Sequence, residues 1–208
     1  MANTQGVNYG ARPFTNPASP PIVMPYRVET SSTIQYFKGQ FAVINSNGRV
    51  ETVVGTASGG MISCGVIWGF TDLSQAGLPT GMASLTQGAF LPVSTDAYAQ
   101  VIIDPNQLYV MEEITGGTAI VASSIGLGVD FTYIATTGNT QTGIANSVLR
   151  NVALTNGTSN MLQIVGLLDI TNQDGTANAS GASAKWVVRI ARHQFGNNVF
   201  PNGQTLSS

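Results

Sequence analysis

The residues able to carry chemistry are few and far apart. Nucleophilic catalysis needs a base beside Ser, Thr or Cys, and the chain holds one histidine, His193, and one cysteine, Cys64. His193 follows Arg192 at the end of an apolar run, a setting that suits a surface or hydrogen-bonding group better than a base. Cys64 lies in Met61-Ile-Ser-Cys-Gly-Val-Ile-Trp68, where a free thiol acts as a small buried hydrophobe. One Cys and one His cannot complete a zinc site within a single chain. Asn172-Gln-Asp-Gly175, preceded by Asp169, faintly echoes a calcium loop, but it lacks the spaced carboxylates and the closing Glu and reads as a solvated turn. Glu112 and Glu113 are adjacent at the end of a strand pattern, so alternation sends them to opposite faces, against a carboxylate pair working on one substrate. Asp96, Asp104 and Asp130 stand beside turns or strand starts, where Asp satisfies backbone donors. Gly126-Leu-Gly128 lacks the third glycine and the following helix of a dinucleotide fingerprint. These residues point to no catalytic group, metal or cofactor, and the expectation is a protein that is not an enzyme.

The elements that would position any site read as β throughout. From Ser31 to residue 195, Ile34–Phe37, Phe41–Ile44, Arg49–Val54, Met61–Phe70, Phe90–Val93, Tyr98–Ile103, Gln107–Met111, Val129–Ile134, Val148–Leu154, Met161–Leu168 and Trp186–Arg192 are short apolar or alternating runs. Asn45-Ser-Asn-Gly48 and Asp104-Pro-Asn106 supply hairpin turns between them. Gly65 and Gly69 inside one run suggest a bulge or a close backbone approach. Thr118–Leu127 is the one stretch with room for a helical turn, and Thr136–Ala145 and Asp169–Ala184 read as polar loops, the second exposed and mobile. About ten short strands separated by turns predict an all-β single domain, a barrel or a sandwich.

Residues 1–30 read as an extended, Pro-rich N-terminal arm, because Pro13, Pro17, Pro20, Pro21 and Pro25 forbid helix and central strand. Tyr9, Phe14, Ile22, Met24 and Tyr26 make this arm sticky, so it should dock, either on its own domain or on a neighbour. Residues 196–208 read as a polar C-terminal tail. Only 9% of the chain is charged, against about 25% in ordinary soluble domains. The polarity comes instead from Gly, Thr, Ser and Asn, which suit surfaces pressed against neighbours. A net charge of −2 with dispersed arginines offers no basic footprint for nucleic acid. No stretch approaches the roughly 18 apolar residues of a membrane helix, and Met-Ala-Asn-Thr-Gln-Gly has no leader character. The expectation is a protein made in a cytoplasm with neither nucleic acid nor membrane as partner, in which the sequons at Asn156 and Asn178 carry no glycan.

Several segments in order resemble the small capsid decoration, or cement, proteins of tailed bacteriophages. They are Gly39-Gln-Phe-Ala-Val43, Gly65-Val66, Asp104-Pro-Asn-Gln-Leu-Tyr-Val-Met-Glu112, Gly138-Asn139 with Thr142-Gly143 and Ser147, Leu162–Gly166, and Trp186-Val-Val-Arg-Ile190 with His193-Gln194. They span roughly residues 36 to 195, and the Asp-Pro-Asn-Gln segment is the most telling. The resemblance implies a β-rich domain, often a homotrimer, that binds the outer surface of an icosahedral head and has the major capsid protein as its partner. It implies location on the virion exterior and carries no catalytic residue across. The expected capsid or subunit contacts are Tyr9, Phe14, Ile22, Met24 and Tyr26, and a chain lacking residues 1–26 is expected to stay folded and lose head binding. A phage tail, fibre-tip or head–tail structural component fits the same composition, whereas a glycan hydrolase would need an acid and base in one cleft.

Overall fold

Period-two alternation sorts the apolar residues of each strand onto two faces, and the fold gives each face its own core. The computed structural model describes residues 10–14, 20–29, 31, 33–53, 62–71, 90–155, 160–172 and 175–196. Among these the structure is all-β, with one short 3-10 turn at Ala122–Ser124 inside the stretch expected to hold a helical turn.

A six-stranded antiparallel sheet runs β1 (Arg12–Phe14), β9 (Leu108–Glu112), β13 (Lys185–Ile190), β12 (Leu162–Leu167), β10 (Gly128–Asn139), β11 (Ile144–Thr155). A five-stranded sheet runs β2 (Val23–Arg27), β8 (Tyr98–Ile102), β6 (Gly65–Thr71), β4 (Phe41–Ile44), β5 (Val50–Thr52). A pair, β3 (Tyr36–Phe37) with β7 (Phe90–Leu91), completes the set.

The five-stranded sheet curls on itself. Val28, just past β2, bridges in parallel to Val50 of β5, and the Glu29 N–H donates to the Val50 carbonyl at 3.0 Å. The segment just past β2 therefore meets β5, which curls the sheet strongly toward a small barrel while β2 itself stays an edge strand. Ala42, Val50, Ile67, Phe70, Ala99 and Val101 form one core with Tyr36 and Leu91 from the β3–β7 pair. Their chain neighbours Phe41, Val66 and Ile102 point the other way, into a second core shared with the six-stranded sheet. That core holds Trp186, Val188 and Ile190 on one face of β13, as the alternation predicts, together with Tyr109, Met111 and Phe131. The six-stranded sheet also curls, since Glu113 bridges to Leu149 and brings the end of β9 against β11. The barrel and sandwich alternatives thus combine: a barrel-like curled sheet is packed against a second curled sheet.

Three expectations change. The Pro-rich segment is no free arm where it is described: Arg12–Phe14 pairs with Val110–Leu108, and Val23–Arg27 pairs with Ile102–Tyr98. Of its own domain and a neighbour, it lies along its own sheets. Both strands are edge strands centred on a proline, Pro13 and Pro25, which satisfies the rule that keeps Pro out of central strands. Tyr98–Ile103 and Gln107–Met111 are not a hairpin, because β8 and β9 pair in different sheets. Asp104-Pro-Asn106 still turns as its chemistry predicts, with the Asn106 N–H donating to Asp104 Oδ1 at 2.9 Å, but it makes a corner between sheets. Thr136–Ala145 is not all loop either. β10 and β11 run on to Asn139 and Ile144, with Asn139 Oδ1 accepting from the Gln141 N–H at 2.8 Å and Gly143 at φ +70°.

The two sheets are stitched at both ends. The β10–β11 tip meets β3, where the Lys38 N–H donates to the Gly143 carbonyl (3.1 Å) and the Ala145 N–H to the Lys38 carbonyl (2.8 Å). At the other end Ser63 bridges to His193, and the Gln194 amide both accepts from the Ile44 N–H (3.0 Å) and donates to its carbonyl (2.9 Å).

Candidate interaction surface

The residues with catalytic potential are placed as structural groups. Glu113 is buried, and its Oε1 accepts from the Ile120 N–H (2.9 Å) and Asn151 Nδ2 (3.2 Å) while Oε2 accepts from Trp186 Nε1 (3.0 Å). This carboxylate ties the end of β9 to β11, to β13 and to the loop before the 3-10 turn. Glu112, its neighbour, lines a surface groove with Val110 on the opposite face, as alternation requires. Burial pushes both carboxyl groups above the ordinary carboxylate range; the donors to Glu113 partly offset this, and so does Lys185 beside Glu112. Burial likewise pushes Asp130 up, against the Met161 N–H that its Oδ1 accepts at 3.1 Å.

Cys64 is fully buried in the barrel core, and desolvation pushes its thiol up to about 12, which keeps it protonated. His193 is buried rather than on the surface. Its Nδ1 accepts the Phe195 N–H at 3.1 Å, and burial holds its pKa below the ordinary value against the opposing charge of Asp104. Of the turn read from Asn172-Gln-Asp-Gly175, the described residues close on themselves. The Gly175 N–H donates to the Asn172 carbonyl (3.0 Å), and Asn172 Oδ1 accepts from Lys185 Nζ (3.0 Å). The wider Asp169–Ala184 loop is built, not loose: Asn178 is buried, donates Nδ2 to the Leu168 (2.7 Å) and Lys185 (2.9 Å) carbonyls, and accepts the Lys185 N–H (3.0 Å). No cluster of three His, Cys, Asp or Glu side chains stands ready for a metal among the described residues.

The five residues expected to make contacts separate. Tyr9 lies outside the described residues. Phe14 (48%), Ile22 (57%) and Met24 (44%) keep large apolar side chains exposed. Tyr26 does not join them; it is half-buried against the barrel core, and its hydroxyl is pushed up by that burial. The reason lies in the pairing of β2. Val23 turns to the inter-sheet core and Tyr26 to the barrel core, while Met24 stays outside. Arg27, on the same strand, is clamped to Asp96 through Nε at 2.8 Å and through Nη2. That pairing holds the Asp96 carboxyl below its ordinary range.

The fold brings Phe14 and Ile22 to one place. Phe14 pairs with Leu108 and its carbonyl accepts from Gln107 Nε2 (3.1 Å), while the Ile22 carbonyl accepts the Ile103 N–H (2.9 Å). Both therefore flank the Asp104–Gln107 corner. Phe195, 51% exposed, lines a groove with Pro105 and Asn106 of that corner. Sequence reasoning missed Phe195 because it is the last residue of the β domain, outside any apolar run and next to the polar tail. It also missed Trp68, 47% exposed and the one exposed residue of β6. Ile67 pairs with Val101 and Gly69 with Gln100, so Trp68 is the extra residue of a bulge, and the bulge turns its indole outward. Gly65 and Gly69 were the available signal. Comparison of the chain with protein-family models, with curated proteins and with solved structures gives no match.

Proposed function

We propose that this protein is a virion structural protein, a capsid decoration or cement protein that binds the outer surface of an icosahedral phage head and braces contacts between capsomers. Its mechanism is contact, and its partner is the major capsid protein. The observation that carries this reading is the treatment of Phe14, Ile22 and Met24. Strand pairing fixes the backbone of Phe14 and Met24, and a hydrogen bond from the Ile103 N–H fixes that of Ile22, yet their apolar side chains face solvent. Because their backbone is already ordered, docking costs only side-chain freedom, about 0.5–1.5 kcal/mol each. The ordered resemblance to decoration proteins and the 9% charge point the same way, since copies crowded on a shell repel one another little. Many copies on one lattice multiply a modest single-site affinity, and a homotrimer would multiply it again. Pro13 and Pro25 at the centres of the edge strands favour this use over filament growth, because neither offers an N–H to an added strand.

Deletion of residues 1–26 is a poor probe, contrary to the expectation from sequence. It would remove β1 and most of β2, together with the buried Ala11. The triple variant F14S/I22S/M24S keeps both strands. It should retain the wild-type thermal midpoint and bind heads that lack the protein roughly a hundredfold more weakly if each side chain contributes about 1 kcal/mol. Immunogold label over tails instead of heads, or full head occupancy by the triple variant, would overturn the reading.

A further inference from the structure

Strand β1 lies between two grooves. One, of about 270 Å³, is lined by Ala11, Arg12, Pro13, Lys38, Trp68 and Ile144 among others. The other, of about 280 Å³, shares Arg12 and Pro13 and adds Leu168, Ile170, Lys185 and Glu112. The chain has eight cationic residues, and both of its lysines and Arg12 converge on these two grooves. Among the described residues Glu112 is the one acid lining either; it is buried beside Lys185, whose Nζ also donates to Asn172 Oδ1. A protein of net charge −2 thus gathers positive charge around apolar floors at one face. Trp68, turned out by the bulge, and exposed Ile170 supply flat and branched apolar surface beside those cations. Pro13 takes one N–H donor from this edge and so disfavours strand addition, which leaves the grooves to bind an occupant through its side chains.

Resting on the decoration reading above, we propose that the face around β1 is the surface that seats on the shell, and that its occupant is an extended segment of the shell subunit carrying carboxylates beside apolar side chains. The cations select the carboxylates and set register, while Trp68 and Ile170 cover the apolar positions.

Hydroxyl-radical footprinting and lysine acylation, read by mass spectrometry on the full-length chain, test this directly. The probe is heads prepared without the protein. On binding, modification of Trp68 and acylation of Lys38 and Lys185 should each fall several-fold, whereas Val121 and Ile125, exposed beside the 3-10 turn, should change little. The variant K38E, with an unchanged thermal midpoint, should bind heads several-fold more weakly, and wild-type binding should weaken as salt rises. Head-bound protein whose Trp68 and lysines stay fully reactive would overturn the inference and leave the decoration reading standing. Protection that grows with protein concentration in the absence of heads would make this face a contact between copies, and would also overturn it. Failure of the wild-type chain to bind heads would remove the decoration reading and the inference together.

Discussion

Gly65 should be among the least replaceable residues of the barrel, and its cost can be worked from position. It opens β6 opposite β8 at φ +147°, a conformation open in practice to glycine alone, and a Cβ built there would lie 1.8 Å from the Ile102 carbonyl oxygen and 2.8 Å from its carbon. The obstacle is backbone of a central strand, so no side-chain rotation relieves it. Forcing a non-glycine residue into that region costs about 1–3 kcal/mol, and the overlap adds about 1–3 kcal/mol through displaced strands. Gly48 is the control: it too is left-handed, at φ +71°, but a Cβ there meets nothing within 4 Å. Gly48→Ala should therefore cost about 1–2 kcal/mol, the conformational part alone. Gly65→Ala should cost about 4 kcal/mol, and with a urea slope of about 2 kcal/mol per molar its midpoint should fall by roughly 2 M. Equilibrium urea unfolding followed by circular dichroism measures both. Equal midpoint shifts for the two variants would refute the claim that overlap with the Ile102 carbonyl adds to the conformational cost at 65.

Two further outcomes follow from the buried polar groups. Glu113→Ala strands the Ile120 N–H and the Trp186 indole N–H, while Asn151 Nδ2 keeps the Ile114 and Gly116 carbonyls, and should destabilise the protein by about 3–5 kcal/mol. Calorimetry reads this, and a midpoint unchanged within a degree would show that the carboxylate does not tie these elements. His193 has a folded-state pKa below its ordinary value of 6.5, so its contribution is fully present above pH 6.5 and is lost as pH falls through the folded value. Glu112, Glu113 and Asp130 run in the opposite sense, since their raised values favour the fold at lower pH and that benefit is lost as pH rises through them. Comparing wild type with His193→Asn, whose Oδ1 can accept the Phe195 N–H, isolates the histidine. The stability gap between the two should narrow or reverse between pH 7.5 and 5.5, and parallel pH profiles would refute the assignment.

The sequence by itself determined local matters, where the physics involves a few neighbouring residues. Alternation placed Trp186, Val188 and Ile190 on one buried face and sent Glu112 and Glu113 apart. Turn chemistry at Asn45–Gly48 and Asp104–Asn106 gave the bends, and Gly65 and Gly69 marked the bulge that the register shift contains. Tertiary structure alone decided partnership. Whether two strands joined by a turn pair with each other depends on which surfaces they bury, and β8 and β9 part company because Ile102 and Tyr109 face each other's sheets across a shared core. The same physics overrode the prolines near the N terminus: Pro13 and Pro25 lack one donor each, which an edge strand can spare, so β1 and β2 form where composition read as an arm. The curl of the barrel through Val28 and Val50, the inward turn of Tyr26 and the outward turn of Trp68 all depend on residues distant in the chain, which no local pattern encodes.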